Sequence, residues 1–294
     1  MVTFYRRLPR VGYLKPGSLG EVLGLLAKNC DGKYAVYAGG TDVIPKLKAR
    51  FMKSPEALID LKAIRELDFI SYDEKTGLRI GALATISSVT EADIVKKNYP
   101  VLYQAAHSIA STHIQNRGTI VGNICNAVPS ADSAPALLCL GAKLVCVSRS
   151  GERTLDIGSF FTGPNKTALG PGEIVREIQV PRMAAGTRGV YLKLSPRSRM
   201  DLAVVGVAAL VRKADGAFGD ARIGLGAVAP TPMRASKAEA RLKGESVNEK
   251  VILAAAKAAS DESNPISDHR ASAEYRRMMV EALVSRAIRQ TIYN

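Results

Sequence analysis

An α+β fold is predicted, and three observations predict it. Strand-like segments are followed by helical ones instead of alternating strictly with them, most plainly beyond residue 173. The chain has 294 residues, about two domains' worth at a prior of ~150 residues per domain. It is 47% hydrophobic and 23% charged, with a mean hydropathy of +0.02. That composition is globular, since disorder needs lower hydrophobicity and more one-sided charge. A chain this long buries roughly three quarters of its unfolded surface without disulfide or metal staples.

The elements follow in order. Ser18 to Glu21 reads as a capping box opening a helix to about Lys28, with Leu19, Val22, Leu23, Leu25 and Leu26 on its apolar face. Tyr34 to Ala38 reads as a strand broken by Gly39-Gly40. Thr41 or Asp42 then caps a helix to about Phe51, with Pro45 tolerated in its first turn. Ala57 to Leu61 is a strand, and residues 69–72 and 78–83 form a hairpin around Asp73 to Gly77. Thr90 is expected to cap the next helix, and Pro100 to open another with Val101, Leu102, Ala105, Ala106 and Ile109 inward. Residues 117–132 read as a long loop of small, weakly charged residues, a texture that suggests close approach to another molecule. Ala134 to Leu140 is a short helix, residues 143–148 and 153–157 a hairpin, and Glu173 to Val180 a strand. Strands at 190–194, 202–212 and 221–228 precede helices at 236–242, 248–259 and 272–292. Boundaries near Ser54-Pro55 and in Pro181 to Gly186 divide the chain into 1–56, 57–181 and 182–294.

Several classes are disfavoured. The longest apolar run, Leu202 to Val211, is half a bilayer span, and the first sixteen residues lack a signal peptide's apolar stretch. Aromatics are only 5% and Trp is absent, which disfavours base-stacking or sugar-stacking platforms. Cys30, Cys125, Cys139 and Cys146 have neither CxxC nor Cys/His spacing, so neither a disulfide framework nor a zinc site is expected, and a reducing cytoplasm is. The net charge of +14 fits nucleic acid, an anionic membrane, an anionic ligand or acidic partner proteins. The basic residues are scattered, as Arg6, Arg7, Lys46, Lys48, Arg50, Arg197, Arg199, Arg276 and Arg277 illustrate, without a nucleic-acid-binding motif.

Two glycine loops carry the chemistry. In Ala38-Gly39-Gly40-Thr41-Asp42, glycines let backbone amides approach a ligand, and successive amides entering a helix make an anion nest. The same segment also reads as a plain strand-to-helix turn. The second loop, Arg117-Gly118-Thr119-Ile120-Val121-Gly122-Asn123-Ile124, has similar ingredients. Asp132 follows; it suits ribose or ribityl hydroxyls or a ring N–H, and equally reads as a cap of the helix beginning at Ala134. One loop holds one phosphate, whereas two loops from different lobes can clamp the paired phosphates of a dinucleotide.

With these residues on view, the chain resembles the FAD-binding medium subunits of the molybdenum hydroxylases, the family of carbon monoxide, nicotinate and xanthine dehydrogenases. The resemblance rests on AGGTD at 38–42, GTIVGN at 118–123 and NICNAVPSADSAPALL at 123–138. It continues through Glu173-Ile174-Val175, Tyr191-Leu192-Lys193, Asp201-Leu202-Ala203, residues 226–234 and Tyr275-Arg276. It implies a two-part, PCMH/vanillyl-alcohol-oxidase-like FAD-binding domain followed by a C-terminal antiparallel sheet with helices. By the same resemblance, Val36, Tyr37, Ala38, Gly39, Gly40, Thr41, Asp42 and Val43 form one pyrophosphate loop, and Gly118, Thr119, Val121, Gly122 and Asn123 the other. Asp132 matches an acid that contacts the cofactor's polar chain, Val175 an apolar position near the flavin, and Lys193 a lysine near the isoalloxazine. On residue chemistry alone, Val175 also reads as plain core and Lys193 as a solvated strand residue.

The implied activity is oxidoreductase electron transfer by noncovalent FAD, without substrate hydroxylation by this chain alone. Electrons would come from [2Fe-2S] clusters of a small partner, the molybdopterin would sit on a large one, and NAD or a quinone would accept. A dimer of heterotrimers is expected. The alternatives are a stand-alone flavin oxidoreductase and a basic non-enzymatic binding module. In one departure from the family, Val121 replaces the first of two adjacent glycines; its β-branch resists positive φ. No cysteine-bearing insertion for an additional iron–sulfur cluster is evident, and Cys125, Cys139 and Cys146 are expected to pack in helix or sheet.

Overall fold

A computed structural model describes residues 7–28, 33–197 and 200–293. Arg6, Cys30 and Arg199 of the sequence reading lie outside them. The first lobe orders β1 (Gly12–Leu14), α1 (Leu19–Ala27), β2 (Tyr34–Tyr37), α2 (Val43–Ala49) and β3 (Ala57–Asp60). Its sheet is parallel in the order β1-β3-β2. Ala57–Asp60 is thus the middle strand of the N-terminal sheet. All four of its residues are buried, as befits a strand flanked on both edges. Helix α1 begins as a capping box: Ser18 Oγ accepts from the Glu21 amide (3.3 Å) and Glu21 reaches back to the Gly17 amide (2.9 Å). Gly24 lies inside α1 with nothing within 4 Å of where a Cβ would stand. Gly24→Ala should therefore stabilise the protein by about 0.5–1 kcal/mol, seen as a higher urea midpoint.

The second lobe is an antiparallel sheet of order β4-β5-β10-β6-β7 with a helical layer. Its elements are β4 (Ile70–Asp73), β5 (Gly77–Gly81), α3 (Ile86–Glu91), α4 (Asp93–Asn98), α5 (Pro100–His107), α6 (Thr112–Gln115), α7 (Ile120–Cys125) and α8 (Ser133–Leu140). There follow β6 (Lys143–Ser148), β7 (Gly151–Asp156), α9 (Ile157–Phe160), β8 (Phe161–Gly163), β9 (Lys166–Thr167) and β10 (Ile174–Val180). Two local expectations are corrected. Thr90 lies inside α3 and bonds back to the Ser87 carbonyl, while Thr85 caps that helix by accepting from the Ser88 amide. Residues 117–132 are not continuous loop, because α7 forms within them.

The third lobe has an antiparallel sheet, β11 (Thr187–Leu194), β12 (Val205–Ala214), β13 (Ala217–Gly226) and β14 (Met233–Arg234). Helices α10 (Ser236–Leu242), α11 (Glu249–Glu262) and α12 (Ala273–Tyr293) cover one face. On the other face Tyr191, Ala208 and Leu210 join the core of the second lobe. Strand β12 is therefore buried on both sides, which explains its near-continuous apolar run. Gly224 is required at this seam, since a Cβ there would lie 2.3 Å from the Pro135 carbonyl oxygen.

Arg276 of α12 is buried and donates to the Val204 and Ala227 carbonyls (2.6 and 3.1 Å) and to Asp268 (2.8 Å). Burial pushes the Asp268 carboxyl up. The amides of Arg270 and Ala271 and the Arg276 guanidinium outweigh it and bring the carboxyl down to about 2. A folded-state pKa below the unfolded value of ~3.9 stabilises above that value and fades as pH falls through the folded one. Asp268→Asn should therefore cost stability at pH 6 and cost little near pH 2, as read by urea unfolding at both.

Candidate functional site

The site is built where the parallel strands of the first lobe end, the edge at which open parallel sheets hold ligands. After β2, the first glycine loop turns back with Gly40 at φ +78°. A Cβ on Gly39 would lie 1.9 Å from the Arg117 carbonyl oxygen and 2.9 Å from the Gly118 Cα. The two glycine loops thus touch backbone to backbone, a contact only glycine at 39 permits. A side chain on Gly40 would strike the Tyr37 ring, 2.2 Å from its Cε2. Gly40 is there for its turn, and its missing side chain makes room for Tyr37. Among the described residues, none accepts a hydrogen bond from the amides of Gly39, Gly40 or Thr41.

Asp42 occupies the N-cap position of α2, but its carboxylate caps nothing. It accepts instead from Asn126 Nδ2 (2.7 Å), and Asn126 Oδ1 accepts from Lys46. Burial pushes the Asp42 carboxyl up, and Lys46 and Asn126 oppose it. These contacts lock the first loop to the end of α7. On the second loop, the Gly118 carbonyl accepts from the Ile86 amide (2.8 Å), and Thr119 caps α7 by accepting from Gly122 N (2.9 Å). Val121 sits in the first turn of α7, buried in the core and free of positive φ, so its β-branch meets no backbone obstacle. Asn123 accepts from the Ser133 hydroxyl (2.6 Å), tying α7 to α8.

A groove of about 220 Å³ opens between the loops. Ala38 and Gly39 line one side, Asn116, Arg117 and Thr119 the other, with Lys62, Asp68, Leu83 and Thr85 completing it. Lys62, Asp68, Leu83, Thr85 and Asn116 were not among the candidate site residues of the sequence. Lys62 follows the end of the central strand, and its ammonium reaches Asp60 (2.8 Å) and the Ala38 carbonyl (3.4 Å) and lies 3.7 Å from the centre of the Tyr37 ring. The signal that could have found it is its place just past a middle parallel strand, visible only once the strand order is known.

Asp132, Val175 and Lys193 do not line that groove. Asp132 stands at the N-cap position of α8 without making a cap bond. Its Oδ1 accepts from the Tyr191 hydroxyl (2.7 Å) and its Oδ2 from Lys193 Nζ (2.9 Å). Lys193 also donates to the Ser108 carbonyl (3.0 Å). The lysine is buried, so the solvated-strand reading fails. Burial pushes the Asp132 carboxyl up, with Lys193 and Tyr191 holding against it. Val175 lies on β10 in the core, opposite Cys146. Cys125, Cys139 and Cys146 are free thiols in α7, α8 and β6, and burial pushes Cys125 and Cys139 up to about 12 and Cys146 to about 11. Such thiols are poor nucleophiles.

A cradle of unpartnered amides beside two cations is what a diphosphate requires, so these residues fit a dinucleotide. Comparison with known proteins agrees with the geometry. Residues 9–183 match the family of the FAD binding domain in molybdopterin dehydrogenase, and residues 190–291 the CO dehydrogenase flavoprotein C-terminal domain. The chain is 33% identical over 282 residues to the glyceraldehyde dehydrogenase medium chain of Sulfolobus acidocaldarius, covering 96% of this chain and 98% of that one. It is 36% identical over 281 residues to the carbon monoxide dehydrogenase medium chain of Hydrogenophaga pseudoflava, covering 95% and 96%. The solved carbon monoxide dehydrogenase of that organism, lacking the Mo-pyranopterin moiety, superposes with a TM-score of 0.93 over 97% of this chain and 98% of that one, at 36% identity.

Proposed function

The chain belongs to the FAD-binding subunits of the molybdenum hydroxylases, and from that premise we propose that it is the electron-relaying subunit of a three-subunit enzyme. The observation that carries the reading is the backbone contact between the two glycine loops, which leaves the amides of Gly39, Gly40 and Thr41 unpartnered beside a groove. Those amides, with Thr119 and the start of α7, bind the diphosphate of FAD. Lys62 and Arg117 bring positive charge to the same groove. Asp132 takes hydrogen bonds from the cofactor's polar chain, Lys193 supplies a cation to the flavin end, and Val175 packs near it. Val36, Tyr37, Ala38, Val43, Gly118, Val121, Gly122 and Asn123 shape the two loops, and Asp42 locks them together.

When bound, FAD would supply the redox chemistry of such a relay, between [2Fe-2S] clusters on a small partner and NAD, a quinone or another acceptor, with the molybdopterin on a large partner. The assembly is a dimer of heterotrimers in the cytoplasm. Among the described residues, no helix is long and apolar enough to cross a membrane. Positive net charge suits both an anionic cofactor and acidic partner subunits.

The test is simple. Purified chain, expressed alone, should carry about one noncovalent FAD, read by its visible absorbance and by release on heat denaturation. Colourless protein that takes up no added FAD sinks the reading and revives the basic binding module. Co-expression with the two neighbouring subunits should shift the chain into a larger species on gel filtration.

A further inference from the structure

The Asp132–Lys193 pair joins two lobes. Asp132 precedes α8 of the second lobe, whereas Lys193 belongs to β11 of the third. A third residue governs the pair. Tyr191, two positions before Lys193 and on the same face of β11, is buried and donates its hydroxyl to the other carboxylate oxygen. Its own amide donates to Gln104 Oε1 (2.8 Å), so the side chain of α5 fixes the strand at that point. Gly206, on the neighbouring strand opposite Lys193, clears the way: a Cβ there would lie 2.7 Å from the Tyr191 hydroxyl. A tyrosine hydroxyl is the far end of a rigid ring and cannot retreat without giving up Asp132.

Resting on the flavin reading above, we infer that Tyr191 is a positioning residue. It fixes Asp132 and, through Asp132, the Lys193 ammonium, so that docking of the third lobe sets the affinity for FAD. The carboxylate has both oxygens engaged by one strand. It can meet a further donor only in the orientation that this strand dictates. Gly206 belongs to the same device, since the three atoms nearest to a Cβ there would all belong to the Tyr191 side chain.

The experiment measures FAD affinity of the apoprotein by quenching of flavin fluorescence, alongside its melting temperature and the visible bands of the bound flavin. Tyr191→Phe keeps the ring and deletes the bond to a charged acceptor. It should weaken FAD binding about tenfold and shift the flavin bands, with the apoprotein melting only a few degrees lower, because Lys193 still pairs with the carboxylate. Gly206→Ala should weaken binding in the same direction, because it displaces the hydroxyl without removing it. In an Asp132→Asn background, Tyr191→Phe should cost little more, since its effect acts through the carboxylate. Equal losses with and without Asp132 would overturn the inference and leave Tyr191 a packing residue. Unchanged affinity and unchanged bands in Tyr191→Phe would overturn it as well. Wild-type protein that binds no FAD sinks instead the reading on which it rests.

Discussion

Replacing Lys193 by methionine is expected to lower the unfolding free energy by about 3 kcal/mol at pH 8, and by distinctly less at pH 5. Methionine matches the length of the lysine stem, so packing is kept and charge is lost. What remains is a buried carboxylate, Asp132, with the Tyr191 hydroxyl as its one remaining donor of the original two. Burial already pushes this carboxyl up, and removing the ammonium pushes it further. A folded-state pKa above the unfolded value of ~3.9 means that the folded variant holds a proton the unfolded chain releases. Its penalty is therefore absent below the unfolded pKa and grows as pH rises through the folded one. Urea midpoints at the two pH values read this directly. Asp132→Asn combined with Lys193→Met should recover part of the loss at pH 8, since the amide carries no charge to bury. A Lys193→Met penalty independent of pH would mean that removing the ammonium leaves the protonation of Asp132 unchanged between pH 5 and pH 8.

The same pair shows where the sequence stops being legible. Helices α5, α8, α10, α11 and α12 and the antiparallel hairpins could be read locally, because capping residues, turn glycines and apolar periodicity all act within a few residues. Thr90 reads as a cap from its residue type, since threonine is a favoured cap residue. The structure uses Thr85 instead, because only that start turns Ile86 and Val89 into the core. Asp132 reads as a cap for a similar reason, since small polar residues cluster around it. Its true partners lie 59 and 61 positions along the chain, and no local pattern points to them. The glycine loops were legible as loops, and their family resemblance as a cofactor cradle. That they press on one another was not, because residues 39 and 117 meet only after the first two lobes have docked. Lys62 was hidden likewise, as its place in the groove depends on β3 being the middle strand.

Gly39→Ala should be the most damaging single methyl in the cofactor cradle. It is expected to weaken FAD binding at least a hundredfold, or about 2.7 kcal/mol. The added carbon would lie 1.9 Å from one carbonyl oxygen and 2.7 Å from its carbon, and both belong to the main chain of Arg117. No rotamer change relieves such an overlap, so the loops must part. Parting them widens the cradle at the point where amides from both sides must face one diphosphate. Gly40→Ala makes the instructive comparison. There the obstacle is the Tyr37 ring, a side chain that can swing away, and the added cost is the left-handed backbone at φ +78°, about 1–2 kcal/mol for a residue with a Cβ. Gly40→Ala should thus lose stability while keeping more of its flavin affinity than Gly39→Ala, and the bulkier Gly40→Val should retain almost none. Flavin-fluorescence titration of each apoprotein gives the affinities, and urea unfolding without flavin gives the stabilities. Gly39→Ala protein that binds FAD as tightly as wild type would show that the contact between the loops does not build the phosphate site.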